Sequence, residues 1–161
     1  MTLKMTDSEI LQLLEDWTSA LGSGDLEGIS ALYSEDAVLV PTVSNQIRRE
    51  HPAIREYFAG FLAKQPTATI NEVLTRTLTS DLASAVGAYT ITLGDGSALR
   101  ARFSYLFRRR NGGWRILEHH SSLMPEGYLS GVGPMVHWQL RHTPGQGVIT
   151  RGVIKGRRGA R

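Results

Sequence analysis

Two adjacent histidines followed by two adjacent serines, His119-His120-Ser121-Ser122, are the side chains of this sequence best suited to moving protons. An imidazole titrates near neutrality, so it can act as general acid or base where a hydroxyl alone cannot. The four residues lie within Trp114 to Glu126, WRILEHHSSLMPE, whose hydrophobic start reads as a strand. Strand alternation groups Trp114, Ile116, Glu118, His120 and Ser122 on one face, and Arg115, Leu117, His119 and Ser121 on the other. Trp114 and Ile116 should face the core, which predicts His120 inside as the proton-moving group and His119 outside at an interface. The same parity also fits a hydrogen-bonded histidine that lines an inert cavity or stabilises the sheet.

Other residues could complete such a site. Tyr33, Tyr57, Tyr89 and Tyr105 could set phenolic groups around an apolar cavity, and Tyr105 joins His120 as a candidate to polarise a carbonyl. Each also reads as a core aromatic at helical or strand spacing. Arg102 sits in mid-strand; pointing inward it needs an anion, either Glu118 or a ligand carboxylate or enolate, and pointing outward it is a solvated or interface charge. Ser122 and Trp17 are further ligand-contact candidates, Trp17 doubling as a core anchor. Arg48 and Arg49 are placed to steer an acidic ligand at the mouth of a pocket. His51, His119 and His120 have no spacing that specifies a metal, and no dinucleotide fingerprint occurs, so neither metal nor cofactor is expected.

The elements that must position these groups follow from periodicity. Thr6 and Glu9 form a capping box for a helix through Ile10, Leu14, Trp17 and Leu21, ending near Gly22. Asp25 can cap a second helix carrying Leu26, Ile29, Leu32 and Tyr33. Ala37 to Pro41 reads as a short strand, and Pro52 fits the first turn of a third helix with Ile54, Tyr57, Phe58 and Phe61 on its apolar stripe. From Thr67 the period changes to two, giving strands over 68–79, 83–93, 97–110 and from Trp114, with a hairpin at Asn111-Gly112-Gly113. Helices followed by long antiparallel strands predict an α+β fold, three helices on one sheet face and a second copy of the chain on the other.

Composition bounds the rest. A chain of 161 residues can form one domain with a substantial core. It has no cysteine, which excludes disulfides and thiolate chemistry and fits a cytoplasmic protein. Met1 to Glu9 carries no long apolar run, so no signal peptide or membrane span is expected there. The formal charge of +3 hides a division: residues 1–126 hold all 15 acidic residues, whereas residues 127–161 hold six basic ones and eight of the 17 glycines. The expected organisation is therefore a domain over 1–126 and a basic, mostly mobile tail over 127–161, in which 135–140 and 148–154 could add strands. Arg108-Arg109-Arg110 reads as a hairpin-tip cluster, and without interleaved exposed aromatics nucleic-acid binding is not expected.

GSGDLEGISALYSEDAVLVPT, the loop into NQIRREHPAIREYFAGFL, the DGS hairpin and NGGWRILEHHSSLMPE together resemble the SnoaL-like, nuclear-transport-factor-2-like (NTF2-like) superfamily. The resemblance covers residues 8–126 and is nearest to the SgcJ/EcaC family, itself similar to the association domain of calcium/calmodulin-dependent kinase II. It implies a cystatin-like cone and a homodimer through the exposed sheet face. It also implies a pocket for a hydrophobic, oxygenated small molecule, with an auxiliary cofactor-free cyclase or isomerase of natural-product (polyketide or enediyne-like) biosynthesis as the leading activity. A non-catalytic ligand-binding or assembly module is the alternative it leaves open.

Overall fold

Thr6 accepts a hydrogen bond from the Glu9 amide while the Glu9 carboxylate accepts from the Thr6 amide, so the predicted capping box opens helix α1, Asp7–Ser23. Gly24, at φ 71°, closes it in the left-handed conformation that glycine adopts without penalty. Ile10, Leu14, Trp17 and Leu21 form its buried stripe. Asp25 then caps α2, Leu26–Ala31, through the Gly28 amide. The expected second helix runs too far: Tyr33 opens strand β1, Tyr33–Val40, instead of closing α2. The two-residue β2, Arg48–Arg49, leads into α3, Glu50–Leu62, which buries Ile54, Phe58 and Phe61.

A computed structural model describes residues 4–125 and 148–149 of the chain. The four long strands are β3 (Thr67–Thr77), β4 (Leu82–Thr92), β5 (Ala98–Arg110) and β6 (Gly113–Leu123). They form consecutive antiparallel pairs. Arg110 pairs with Gly113, leaving Asn111-Gly112 as a two-residue loop. Both loop residues have positive φ, 52° and 78°, as a type I′ hairpin requires. A last piece, β7, Val148–Ile149, pairs with β3. This places part of the suspected 148–154 strand in the sheet; the remainder of the expected tail lies outside the described residues.

The sheet order is β2-β1-β6-β5-β4-β3-β7. Among the described residues its one parallel pair is β1 with β6, two strands far apart in sequence that no hairpin obliges to run in opposite directions. Register shifts interrupt β3–β4 between Ile70 and Glu72, β5–β6 between Leu106 and Phe107, and β1–β6 between Tyr33 and Val38. Such bulges bend a strand and increase its twist, and here they curve the sheet around the helices. Helix α1 packs on β3 and α3 on β1. Between helices and sheet lies one apolar core, including Trp17, Phe58, Phe61, Tyr89, Phe103, Tyr105 and Phe107. The architecture is an α+β cone. Among the described residues no helix is long and apolar enough to cross a membrane.

Candidate functional site

One extra residue in β6 decides which histidine is inside. Phe107 pairs with Ile116 but Leu106 pairs with Glu118, so Leu117 is a bulge with no partner on β5. Ile116 is buried as expected, and beyond the bulge the alternation is reversed: His119 and Ser121 are buried, whereas His120 is exposed. The expectation that His120 faces the core is therefore corrected, and His119 occupies the interior instead. Glu118 and Arg102 are exposed and Ser122 half-buried on the outer face of the sheet, with Arg102 opposite Ser122 and His120 opposite Ser104. None of these four expected site residues, His120, Arg102, Glu118 or Ser122, reaches the interior.

The aromatic candidates do converge. Trp17 comes from α1, Tyr33 from the start of β1, Tyr89 from β4 and Tyr105 from β5, and all four surround His119. The Trp17 indole Nε1–H donates to the Tyr33 hydroxyl at 3.0 Å. Tyr33 Oη lies 2.8 Å from His119 Nδ1, and Tyr89 Oη lies 3.5 Å from His119 Nε2. Tyr89 donates in turn to Ser121 Oγ at 2.5 Å, and Ser121 Oγ is in short contact with Thr42 Oγ1. Tyr105 stacks on the imidazole with ring centroids 4.0 Å apart. Its own hydroxyl is buried without a hydrogen-bond partner among the described residues.

An indole N–H can only donate, so the Tyr33 hydroxyl accepts from Trp17 and makes its second hydrogen bond with His119 Nδ1. Tyr89 Oη faces Nε2 on the other edge of the ring. Burial removes the solvation a cationic ring needs, and His120 next door adds like-charge repulsion; together they push the His119 pKa down to about 3. Burial likewise raises the hydroxyls of Tyr33, Tyr57 and Tyr105, and pushes Tyr89 up to about 12. At neutral pH the cluster is uncharged.

This cluster forms one wall of a small, partly open pocket with a cavity volume of about 20 Å³. Trp17, Tyr89, His119 and Ser121 line it from the core, Tyr57, Phe58 and Phe61 from α3, and Leu39, Pro41, Thr42 and Val43 from the end of β1 and the turn after it. The wall is aromatic and aliphatic with a few hydroxyls, and no lining residue is acidic. Arg48, opposite Leu39 in the β1–β2 pair, carries its guanidinium 5.9 Å from the Tyr57 ring centroid. Its Nε is buried without a hydrogen-bond partner among the described residues. Among the described residues no group of three or more His, Cys, Asp or Glu side chains is placed to hold a metal. Sequence alternation missed His119, Ser121 and Thr42, because a bulge leaves no local composition signal and Thr42 lies in an irregular turn.

The α+β cone shares its fold with proteins described as NTF2-like or cystatin-like. Within it, residues 6–125 match the family model of the calcium/calmodulin dependent protein kinase II association domain, and the chain belongs to that family. It is similar to a protein from Xanthomonas campestris described as such an association domain. Those two chains are 39% identical, the match covers 76% of this chain and 91% of that one, and the TM-score is 0.70. An NTF2-like protein of unknown function from Pseudomonas putida KT2440 is 24% identical over 72% of this chain and 84% of its own, with a TM-score of 0.66. A protein from Streptomyces avermitilis described as a dehydratase of the NTF2-like family is 17% identical over 73% and 95%, with a TM-score of 0.65. The last two likenesses are of fold alone.

Proposed function

We propose that this protein is a homo-oligomeric association module with a non-catalytic pocket for a small, mainly apolar ligand. The observation that carries the reading is the division the Leu117 bulge makes between the two histidines. Inside, His119 is neutral and hydrogen-bonded on both ring nitrogens, and its low pKa makes it a poor base at neutral pH. Outside, His120, Arg102 and Glu118 lie exposed on the outer face of the sheet among the described residues. The cyclase or isomerase chemistry expected from the resemblance needs a base inside the pocket, and neither histidine supplies one there.

The outer face has the character of a surface made to be covered. Register aligns Leu74, Val86, Ser104, His120 and Val40 in one row, and Arg76, Ser84, Leu106, Glu118 and Val38 in the next. Val86 is 40% exposed, and its neighbours are short or aliphatic, which permits close sheet-on-sheet approach. In a two-fold pairing the same patch meets itself, so basic and acidic side chains such as Arg102 and Glu118 can complement each other across the axis. Membership of an association-domain family supports the same reading.

The test is sedimentation-velocity centrifugation of the full chain from 1 to 100 µM, on the order expected for a specific assembly. A discrete oligomer supports the assignment, and loss of that oligomer in Val86→Glu places its interface on the sheet face. A monomer throughout the range would reject association.

A further inference from the structure

Charge is sorted along this chain by element. Residues 5–47 contain eight acidic residues and no lysine or arginine. Helix α1 carries Asp7, Glu9, Glu15 and Asp16, and its last turn has no basic residue. Three of these carboxylates are engaged locally: Asp7 accepts from Thr75, Glu9 from Thr6 and Asp16 from Gln12. Glu15 is exposed and makes no ion pair among the described residues. Its place on the fold is fixed by the ends of the helix. Asp7 meets Thr75 of β3, and a Cβ built on Gly22 would lie 3.9 Å from Thr67 Cγ2, so α1 runs antiparallel to β3. Asp7, Leu11 and Glu15 follow one another at four-residue spacing on the flank toward β3. Glu15, midway between Asp7 and Gly22, is level with the middle of the strand, at Asn71.

Beyond β3 the sheet is covered only by β7, which pairs with Val73 and Leu74. Residues 67–72 face no strand on that side among the described residues. Because β7 is antiparallel to β3, the chain after Ile149 heads toward Thr67. Carried on in the same register, Arg151 falls beside Asn71 and Lys155 beside Thr67. Those are the levels of Glu15 and of the C-terminal end of α1, where the helix dipole favours a cation. Arg157, Arg158 and Arg161 follow, and no acidic residue occurs after Glu126. We propose that residues 150–155 dock along the uncovered edge of β3 as a continuation of β7, with Arg151 against Glu15 and Lys155 at the end of α1. Twelve residues, 150–161, reach about 40 Å when extended, about twice what the uncovered edge requires. An open edge is a template for pairing with other chains, so this docking restricts association to the face of the sheet.

The chain has no cysteine, so Gly156→Cys provides a single site for a nitroxide in the full-length protein. In isotope-enriched protein the nitroxide should broaden the amide resonances of residues 67–70 and 19–23. It should leave those of Asn111 and Gly112 sharp, because strand pairing sets that hairpin at the opposite end of the sheet. Arg151→Glu and Glu15→Arg should each weaken docking by roughly two- to fivefold and reduce the broadening, and the two together should restore it. Added salt should reduce it in the wild-type pairing. Glu15 is exposed, so its replacement should leave the spectrum that of the folded protein. Sharp resonances at residues 67–70 and 19–23, or broadening indifferent to both charge reversals, overturns the proposal. Mixing nitroxide-bearing chains with isotope-enriched chains that lack the nitroxide tests the source. Broadening of the same amides in that mixture assigns the docked segment to another copy and overturns the same-chain contact.

Discussion

His119 is a base whose protonation is opposed by everything around it. Folded, it holds no proton above about pH 3; unfolded, it titrates near 6.5. Between those values the unfolded chain binds the proton and the folded one does not, so acidification favours unfolding. This contribution is therefore complete above pH 6.5, declines as pH falls toward 3, and changes no further below that. The slope should approach about 1.4 kcal/mol per pH unit in the middle of the window. Urea denaturation of wild type and His119→Gln at pH 7, 6, 5 and 4 measures it. The variant should be less stable at pH 7, because Tyr33 and Tyr89 lose a buried partner, yet should lose stability less steeply on acidification. Parallel slopes would mean that His119 is not held neutral by the fold. His120, on the outer face, should behave differently: His120→Ala should leave ligand binding in the pocket within about twofold of wild type, since surface changes away from a site rarely exceed ±0.5 kcal/mol.

Strands hold these side chains in place through irregularities as much as through regular pairing. Asn71 is the unpaired residue of the β3–β4 register, and just beyond it, where Gly87 pairs with Val73, the chain comes unusually close to itself. A Cβ built on Gly87 would lie 2.0 Å from the Glu72 carbonyl oxygen and 2.9 Å from Phe103 Cζ. Because the first of these atoms is backbone, Gly87→Ala must displace a strand and should cost about 1–3 kcal/mol, read as a lower denaturation midpoint. A neutral effect would show that the bulge can relax. At the other end of the domain, Thr6→Ala removes the side-chain acceptor of the α1 capping box, leaving the residue-6 amide on the Glu9 carboxylate, and should cost about 1 kcal/mol, with no effect on the pocket. Helix α1 also carries Trp17, so larger damage there would register at His119 through the lost indole contact.

At the scale of the molecule, the two faces of one sheet are chemically different, and the proposed function assigns each a separate role. The concave face is aromatic and carries the neutral cluster; the outer face mixes short aliphatic side chains with charges of both signs. A copy placed on the outer face leaves the pocket untouched, so assembly and ligand binding should be separable by mutation. Val86→Glu should disperse the oligomer and keep the pH dependence assigned to His119, whereas Thr42→Val should leave the oligomer intact. Sedimentation and denaturation of the same two variants check both halves. A Val86→Glu chain that loses the His119 slope would show that the two faces are coupled.

Sequence alone determined a good deal of this. The capping box of Thr6 and Glu9, the Asp25 cap, the Asn111-Gly112 turn and the change of period after Thr67 all act over a few residues, and local chemistry is sufficient to specify them. It also brought Trp17, Tyr33, Tyr89 and Tyr105 forward as candidates, since large aromatics at periodic positions fall in the interior. Which histidine joined them was decided elsewhere. Leu117 becomes a bulge through the pairing of β6 with β5 and β1, partners distant in sequence, and one residue out of step moves every later side chain to the opposite face. The same long-range pairing set Thr42 beside Ser121 on the pocket wall and Arg48 against the ring of Tyr57. Alternation predicts faces only while the register holds, and the register is a property of the assembled sheet.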